Sequence, residues 1–397
     1  MRKVLFFAEA ASLAHVARPV VLAQALDAKK WQVEFAASEG FALCFAGTDW
    51  PRHKLTSIAA REFLERLAGG KPLYTATELQ SYVEDEVALL EKVKPDVVVG
   101  DFRLSLSVSA RVAKIPYVAI ANAHWSPYSS VPEFPMPDLK GMGWLPLGVA
   151  KSIFSMVAPF AFGQHRRPLN RVRELYGLEQ LSELTRVYTD SDLCLYADTP
   201  DLVPTRNLPP DHQYVGPIVW CPAMDVPSWW GRWPDTPRAY VTLGSTGRAD
   251  QLPRVLAALK RAGVVAIVAT AGRADIASEA GKIYSAAYLP GDQACRAADF
   301  VVCNGGSATV YQALAQGVPV IGICSNMDQF LTMRCVQQSG AGITLRAGRL
   351  EDEGLDRAMR AVSTDSAYTA AAKKVQQDFQ ANPAEVLFPR ALAALKT

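Results

Sequence analysis

The stretch Phe300 to Gln329, FVVCNGGSATVYQALAQGVPVIGICSNMDQ, admits few folds. Phe300-Val301-Val302-Cys303 is an apolar run with the length of a short buried strand. Asn304-Gly305-Gly306-Ser307 breaks it, and a helix is expected from Ala308 to about Gln316. Gly317-Val318-Pro319 stops that helix, and Val320-Ile321-Gly322-Ile323-Cys324 reads as a second strand. Strand, glycine turn, helix and strand make one βαβ unit of a parallel sheet. The chemistry lies at the turn. Gly305 and Gly306 let the backbone approach a ligand, Ser307 or Thr309 can cap, and the helix N-terminus offers N–H groups to an anion. A phosphate or diphosphate is the natural guest, with ordinary turn chemistry as the competing reading.

A chain of 397 residues exceeds one compact core and fits two domains. The remaining sequence divides accordingly. Val4 to Ala8 predicts a first strand, Val16 to Ala28 a helix against the sheet, and Trp31 to Ala36 a second strand. Helix is expected from about Ala59 to Glu91. The run from Pro95 to Asp101 is a strand ending on a carboxylate, followed by helix to Lys114 and a strand from Tyr117 to Ala121. Ser126 to Gly148 reads as loop over a pocket, Asn170 to Leu178 as a short helix, and Leu193 to Ala197 and Tyr214 to Gly216 as the last strands of the first half. Residues 219–238 hold four Trp and four Pro and predict a packed linker. A second α/β domain then spans 239–375, opening on the strand Ala239 to Leu243, and 376–397 forms a C-terminal helix. The expected boundaries are therefore 1–218, 219–238, 239–375 and 376–397.

A net charge of +2, with no basic stripe, argues against nucleic acid as a partner. The seven cysteines are scattered without a CxxC pair, which predicts reduced core thiols and a cytoplasmic protein. Glu9 interrupts the apolar run after Met1, so a strand is expected there rather than a signal peptide. Met142 to Gly163 is long enough to span a bilayer, but Lys151, Pro146 and Pro159 interrupt it. A buried or groove-lining helix is expected instead, and peripheral contact with the inner face of a membrane stays open.

Small residues after Gly305-Gly306, then Ala313-Leu314, Gly317-Val318-Pro319 and Asp328-Gln329, resemble the nucleotide-sugar signature of the UDP-glycosyltransferase superfamily, including bacterial macrolide and lipid glycosyltransferases. The resemblance implies a GT-B fold: two Rossmann-like doubly wound α/β domains facing a central cleft, with the C-terminal helix packing back on the first. This chain has Asn304 where the family has His, and Cys324 where it has Pro. The resemblance places the donor on Gly244, Ser245 and Thr246 near the phosphates and on Tyr288, Leu289 and Pro290 at the nucleobase. It places the diphosphate on Asn304, Gly305, Gly306, Ser307, Ala308 and Thr309, and the sugar hydroxyls on Asp328 and Gln329. A carboxylate and an amide suit vicinal hydroxyls, because together they accept and donate hydrogen bonds.

Ala14-His15-Val16-Ala17-Arg18-Pro19 resembles the family's Gly-His-x-x-Pro region with one residue more before the proline. In the family that His is the general base, and an Asp from a later strand orients it. The resemblance thus implies His15 as base and Asp101 as its partner, with helix-start and capping roles as the plain alternatives. His124 and Trp125 line an acceptor pocket or merely pack. The activity implied is inverting hexosyl transfer from a UDP- or dTDP-sugar co-substrate to a hydroxyl of a hydrophobic small molecule, lipid or lipid-linked saccharide. No metal and no further cofactor is expected. A non-catalytic GT-B partner subunit and a nucleotide-sugar 2-epimerase are the alternatives.

Overall fold

The computed structural model describes the chain except Pro132, Lys140, Gly141, Met142, Gly143, Ser245, Thr246, Lys396 and Thr397. Its residues cluster into two units, one made of Met1–Pro132, Leu145–Ile218 and Asn382–Thr397, the other of Glu133–Trp144 and Val219–Ala381.

The first unit is built on seven parallel strands: β1 (Arg2–Ala8), β2 (Trp31–Ala37), β3 (Arg52–Lys54), β4 (Val97–Asp101), β5 (Tyr117–Ala121), β6 (Leu193–Tyr196) and β7 (His212–Tyr214). Their order is β3-β2-β1-β4-β5-β6-β7. Val4, Leu5, Phe6, Phe7, Val97, Val98 and Val99 are wholly buried. A parallel sheet covered on both faces accepts such unbroken apolar runs, because neither side of the strand meets water. Helices α1 (Leu13–Gln24), α2 (Ala60–Ala68), α3 (Ala76–Val93), α4 (Leu106–Ala113), α5 (Leu147–Leu175) and α6 (Leu184–Thr189) complete this part of the chain. The strand order reverses between β1 and β4, so the sheet has its switch point there, where α/β proteins bind ligands.

The second unit repeats the scheme with β8 (Arg238–Thr242), β9 (Val265–Ala269), β10 (Ile283–Ala286), β11 (Phe300–Cys303), β12 (Val320–Cys324) and β13 (Gly342–Arg346), ordered β10-β9-β8-β11-β12-β13. Its helices are α7 (Leu252–Arg261), α8 (Gly291–Arg296), α9 (Ser307–Ala315), α10 (Met327–Gln338), α11 (Asp352–Thr364) and α12 (Ser366–Ala381). The switch point falls between β8 and β11.

Several sequence expectations need correction. The helix expected over 59–91 is two helices, α2 and α3, because Gly69-Gly70-Lys71-Pro72 cannot continue one. Thr75 starts the second with a capping box to Glu78. The short helix expected at 170–178 is the end of the 29-residue α5, whose first half is exposed rather than buried: Val149, Ile153, Met156, Val157 and Phe160 face solvent.

The boundaries also move. Part of the expected loop, Glu133–Trp144, belongs to the second unit, tied there by Asp138. Asp138 accepts from Arg346 Nη1 at 2.8 Å and from the Gly348 N–H at 2.7 Å. The linker packs on that unit as well. Trp229 and Trp233 lie 5.6 and 6.0 Å from the ring of Tyr284. Finally, Asn382-Pro383 ends α12, and the expected single helix over 376–397 is its last turns plus a separate α13 (Ala384–Ala394). That helix joins the first unit, where Phe388 is wholly buried 6.1 Å from Phe6. Gly216 makes the entry possible: at φ +83°, its absent Cβ would stand 1.8 Å from the Asn382 carbonyl oxygen.

Candidate active site: a His–Asp–Arg cluster and a glycine turn

In the first unit, Ala8 of β1 pairs with Asp101 of β4, so the residues following each strand emerge side by side. Helix α1 begins just after β1 and carries His15 and Arg18 three residues apart, on one face. Both reach Asp101. His15 Nδ1 lies 2.8 Å from Oδ1, and Arg18 donates from Nε to Oδ2 and from Nη2 to Oδ1, each at 2.7 Å. Arg18 Nη1 also donates to Asn122 Oδ1 at 2.8 Å, and Asn122 Nδ2 donates to Asp198 Oδ1 at 3.0 Å. The C-terminal ends of β1, β4, β5 and β6 thus contribute to one polar network.

Asp101 is wholly buried. Burial pushes its carboxyl up, but the charge of Arg18 and the hydrogen-bonded His15 outweigh that and hold it below the ordinary carboxylate range. An ionised Asp101 only accepts hydrogen bonds, so the His15 proton sits on Nδ1 and the lone pair on Nε2. The ring is held from the side as well. Phe102 stacks on His15 with centroids 4.6 Å apart, and it does so from a left-handed backbone, φ +56°. Such a conformation is unfavourable for a bulky residue and is found where function needs an unusual chain direction. Phe102 stacks in turn on Tyr188 at 5.7 Å, Tyr188 meets Trp125 at 4.8 Å, and Phe63 meets Phe102 edge-on at 5.9 Å. His15 therefore stands at the end of an aromatic wall that includes Trp125. His124 is buried beside it, with 6.2 Å between the His124 and Trp125 rings.

Arg18, Asn122 and Asp198 were not singled out from the sequence. The signal for Arg18 was its spacing: three residues after His15 on a helix, any side chain shares His15's face.

In the second unit, Thr242 of β8 pairs with Cys303 of β11, so the segments carrying Gly244 and Asn304 leave adjacent strand ends. Gly244 has φ +60°, and its absent Cβ would lie 3.3 Å from Asn304 Nδ2. At Gly305, φ is +81° and a Cβ would meet Cys324 Sγ at 2.6 Å and Met333 Cγ at 2.8 Å. Only glycine fits, and Cys324 is the floor beneath the turn. Asn304 Oδ1 accepts the Gly306 N–H at 3.2 Å, shaping the approach to α9. Gly306 is the N-cap of α9 and supplies no side-chain cap, so the N–H groups around Ser307, Ala308 and Thr309 suit an anion.

The other donor residues divide. Tyr288 is half exposed, while Leu289 and Pro290 are buried at the start of α8. Asp328 sits in the first turn of α10. Gln329 is buried, and its Oε1 accepts the N–H groups of Ser325 at 2.8 Å and Asn326 at 3.3 Å, completing a capping box with Asn326. It therefore shapes the start of α10. Ser245 and Thr246 lie outside the described residues. Near the turn, Arg248 pairs with Asp250 at 2.7 Å, and Arg273 Nη1 donates to the Gly244 and Gly247 carbonyls at 3.0 and 2.8 Å.

Residues 254–394 match the family model of the erythromycin biosynthesis protein CIII-like C-terminal domain. Over 380 residues the chain is 43% identical to a PGL/p-HBAD biosynthesis glycosyltransferase of Mycobacterium tuberculosis strain H37Ra, spanning 95% of this chain and 89% of that one. The chain belongs to the UDP-glycosyltransferase superfamily. A PGL/p-HBAD biosynthesis rhamnosyltransferase of Mycobacterium bovis strain BCG Pasteur is likewise 43% identical over 380 residues, 95% of this chain and 84% of that one. The solved spinosyn rhamnosyltransferase SpnG superposes with a TM-score of 0.71 at 21% identity, over 99% of this chain and all of that one. The protein is thus a glycosyltransferase with the GT-B fold.

In this transferase Asp101 is more acidic folded than unfolded, so its contribution is present above its unfolded pKa and lost as pH falls through its folded one. Asp101→Asn, which leaves Arg18 buried against a neutral group, should cost about 3 kcal/mol at neutral pH. Urea titrations should show that gap beginning to narrow as the pH drops below about 4, where the unfolded carboxyl is protonated, and closing only at lower pH, as the native carboxyl takes its proton.

Proposed function

We propose that this chain is an inverting transferase that moves a hexosyl group, rhamnosyl or a related sugar, from a dTDP- or UDP-sugar to a hydroxyl of a hydrophobic, aromatic or lipid-linked acceptor. The observation that carries the reading is the His15–Asp101–Arg18 cluster at the sheet's switch point. With Nδ1–H bonded to Asp101, Nε2 of His15 takes the proton of the acceptor hydroxyl. The acceptor oxygen bonds to the anomeric carbon on the face opposite the diphosphate. The old carbon–oxygen bond breaks, and the nucleoside diphosphate leaves with the electron pair. Backbone N–H groups at the α9 N-terminus and the helix dipole stabilise the charge that gathers on it. The nucleotide-sugar is a co-substrate, and the proposed chemistry uses no metal or further cofactor.

The donor class is supported by SpnG, which has been solved with thymidine diphosphate, and the sugar by the names of the relatives. The acceptor class is supported by the wall of Phe63, Phe102, Trp125 and Tyr188 beside His15, which suits a flat apolar body bearing a hydroxyl. The glycolipid direction is supported by the PGL/p-HBAD names of the relatives and by α5.

Helix α5 presents Val149, Ile153, Met156 and Phe160 to solvent at spacings of four, three and four residues, one continuous stripe. The same line continues through Gln164 to Arg167 and Arg171. From Leu139 to Arg173 the sequence holds no Asp or Glu. An exposed apolar stripe running into Arg167 and Arg171, the latter 3.5 Å from Glu174, fits a bilayer surface with anionic headgroups. No helix among the described residues is long and apolar enough to cross a membrane, so this contact is peripheral.

Thermal melts with dTDP and UDP test the donor site: a nucleotide at about 100 times its Kd should stabilise the protein by about 2.7 kcal/mol. Gly305→Ala should abolish the response. His15→Ala should keep the response but lose turnover of a dTDP- or UDP-sugar with a phenolic acceptor by about 10²- to 10⁴-fold. A folded protein that responds to no nucleotide would instead be a non-catalytic partner subunit. Separately, the protein should co-sediment with vesicles containing anionic phosphatidylglycerol and far less with pure phosphatidylcholine. Phe160→Glu with Met156→Glu should release it, and binding unchanged by both substitutions would remove α5 from the membrane reading.

A further inference from the structure

Arg18 meets Asp101 with two nitrogens. Its Nε donates to Oδ2 and its Nη2 to Oδ1, each at 2.7 Å, so both carboxylate oxygens face one guanidinium. His15 Nδ1 shares Oδ1 at 2.8 Å, which brings Arg18 Nη2 to 3.4 Å from that ring nitrogen. The guanidinium is held from its other end by Asn122, whose Oδ1 accepts from Nη1 at 2.8 Å. Asp101 is wholly buried, Arg18 keeps 10% of its side chain exposed, and His15 keeps 20%. The ring is therefore the member of the cluster most open to a substrate.

These contacts bear on where a proton rests. A buried carboxylate whose one charged partner is a histidine holds a proton on that histidine, because the alternative is an uncompensated charge out of water. The ring would then meet the acceptor with Nε2 already protonated, unable to take the proton of its hydroxyl. In this cluster Arg18 compensates Asp101 instead. Burial pushes the Asp101 carboxyl up, and the charge of Arg18 opposes it ahead of the charge of His15. A proton received on Nε2 makes the ring a second cation beside the guanidinium, which favours passing that proton on to water. Two further carboxylates lie close, each with donors of its own. Asp198 is reached from Arg18 through the Asn122 amide, whose Nδ2 donates to it at 3.0 Å, and it also accepts the Ala123 N–H. Glu9 accepts from Arg103 Nη1 at 2.7 Å.

We propose that Arg18 is a positioning residue that governs the protonation state of His15: by neutralising Asp101 it leaves the ring an unprotonated base when the acceptor arrives. The proposal rests on the reading of His15 as the base, though its first readout does not depend on turnover. Arg18 acts through Asp101 and His15 and takes no proton itself. Around the three stand Glu9 after β1, Arg103 after β4, Asp198 after β6 and Tyr188 on α6. Substitutions at 18 and 101 leave those four groups in place, so a difference between such variants reports the guanidinium and the carboxylate.

The experiment is a pH titration of the histidine ring resonances in the full chain, with His15 assigned by its loss in His15→Ala, and the pH profile of kcat/KM measured beside it. Arg18→Met leaves Asp101 ionised against the ring alone. The ring midpoint should then rise by about 1 to 3 pH units, and the acid limb of kcat/KM should rise with it. Arg18→Lys keeps the charge but loses the two-nitrogen contact, so turnover should fall while the midpoint stays within about half a unit of wild type. Circular dichroism establishes that the variants are folded. Should Arg18→Met be too unstable to titrate, Arg18→Met combined with Asp101→Asn removes both charges and leaves neither buried alone. Its midpoint should also stay within about half a unit of wild type, since the two charges offset one another at the ring. An unmoved midpoint in folded Arg18→Met, an equal rise in Arg18→Lys, or a displaced midpoint in the double variant overturns the proposal. A risen midpoint in Arg18→Met, in a protein whose turnover survives His15→Ala, would uphold the coupling and reject His15 as the base.

Discussion

One buried carboxylate organises the first unit. Asp101 accepts from His15 and twice from Arg18, both carried by α1. An unpaired charge at that depth would cost several kcal/mol, so the contact fixes where the helix starts and which face it turns inward. It exists because β4 lies beside β1, which is the point where the strand order reverses. Had β1 kept only β2 as neighbour, the end of β4 and the start of α1 would have no reason to meet. The reversal is thus the topological condition, and the carboxylate is what turns it into a site.

The second unit uses the same reversal for a different chemistry. The ends of β8 and β11 lead into backbone turns, and the limiting quantity there is space. A Cβ at Gly305 would strike Cys324 and Met333, and one at Gly247 would stand 2.1 Å from the Leu243 carbonyl oxygen. In the proposed function, backbone N–H groups and a helix dipole at this turn take the part that a cation would play elsewhere. Asn304 fits that scheme. Its amide oxygen organises the turn by accepting from Gly306, a job a charged side chain is not needed for.

Much of this was legible in the residues. Unbroken apolar runs such as Val4 to Ala8 and Phe300 to Cys303 could only be strands covered on both sides, and they are. Gly305 was readable because few residue types tolerate a positive φ. Asp101 stood out as a carboxylate closing an apolar strand. What escaped was whatever depends on partners far along the chain. Arg18 was not singled out, because its partner Asp101 lies 83 residues away. Asp138 gave no sign that it would tie its loop to Arg346, 208 residues later. The apolar start of α5 misled in the other direction, since hydrophobicity alone does not distinguish a residue that is buried from one that is left exposed.

The sequence by itself determined the local states: where strands, turns and helices begin, which turns demand glycine, and which carboxylate ends a strand. Those follow from side-chain size, backbone sterics and periodicity, which act over a few residues. The tertiary structure alone decided charge. Whether Asp101 stands bare behind His15 or is neutralised by Arg18 depends on which strand ends are neighbours and how far water is excluded. Electrostatic interactions change several-fold with burial and distance, and neither quantity is written in the order of the residues.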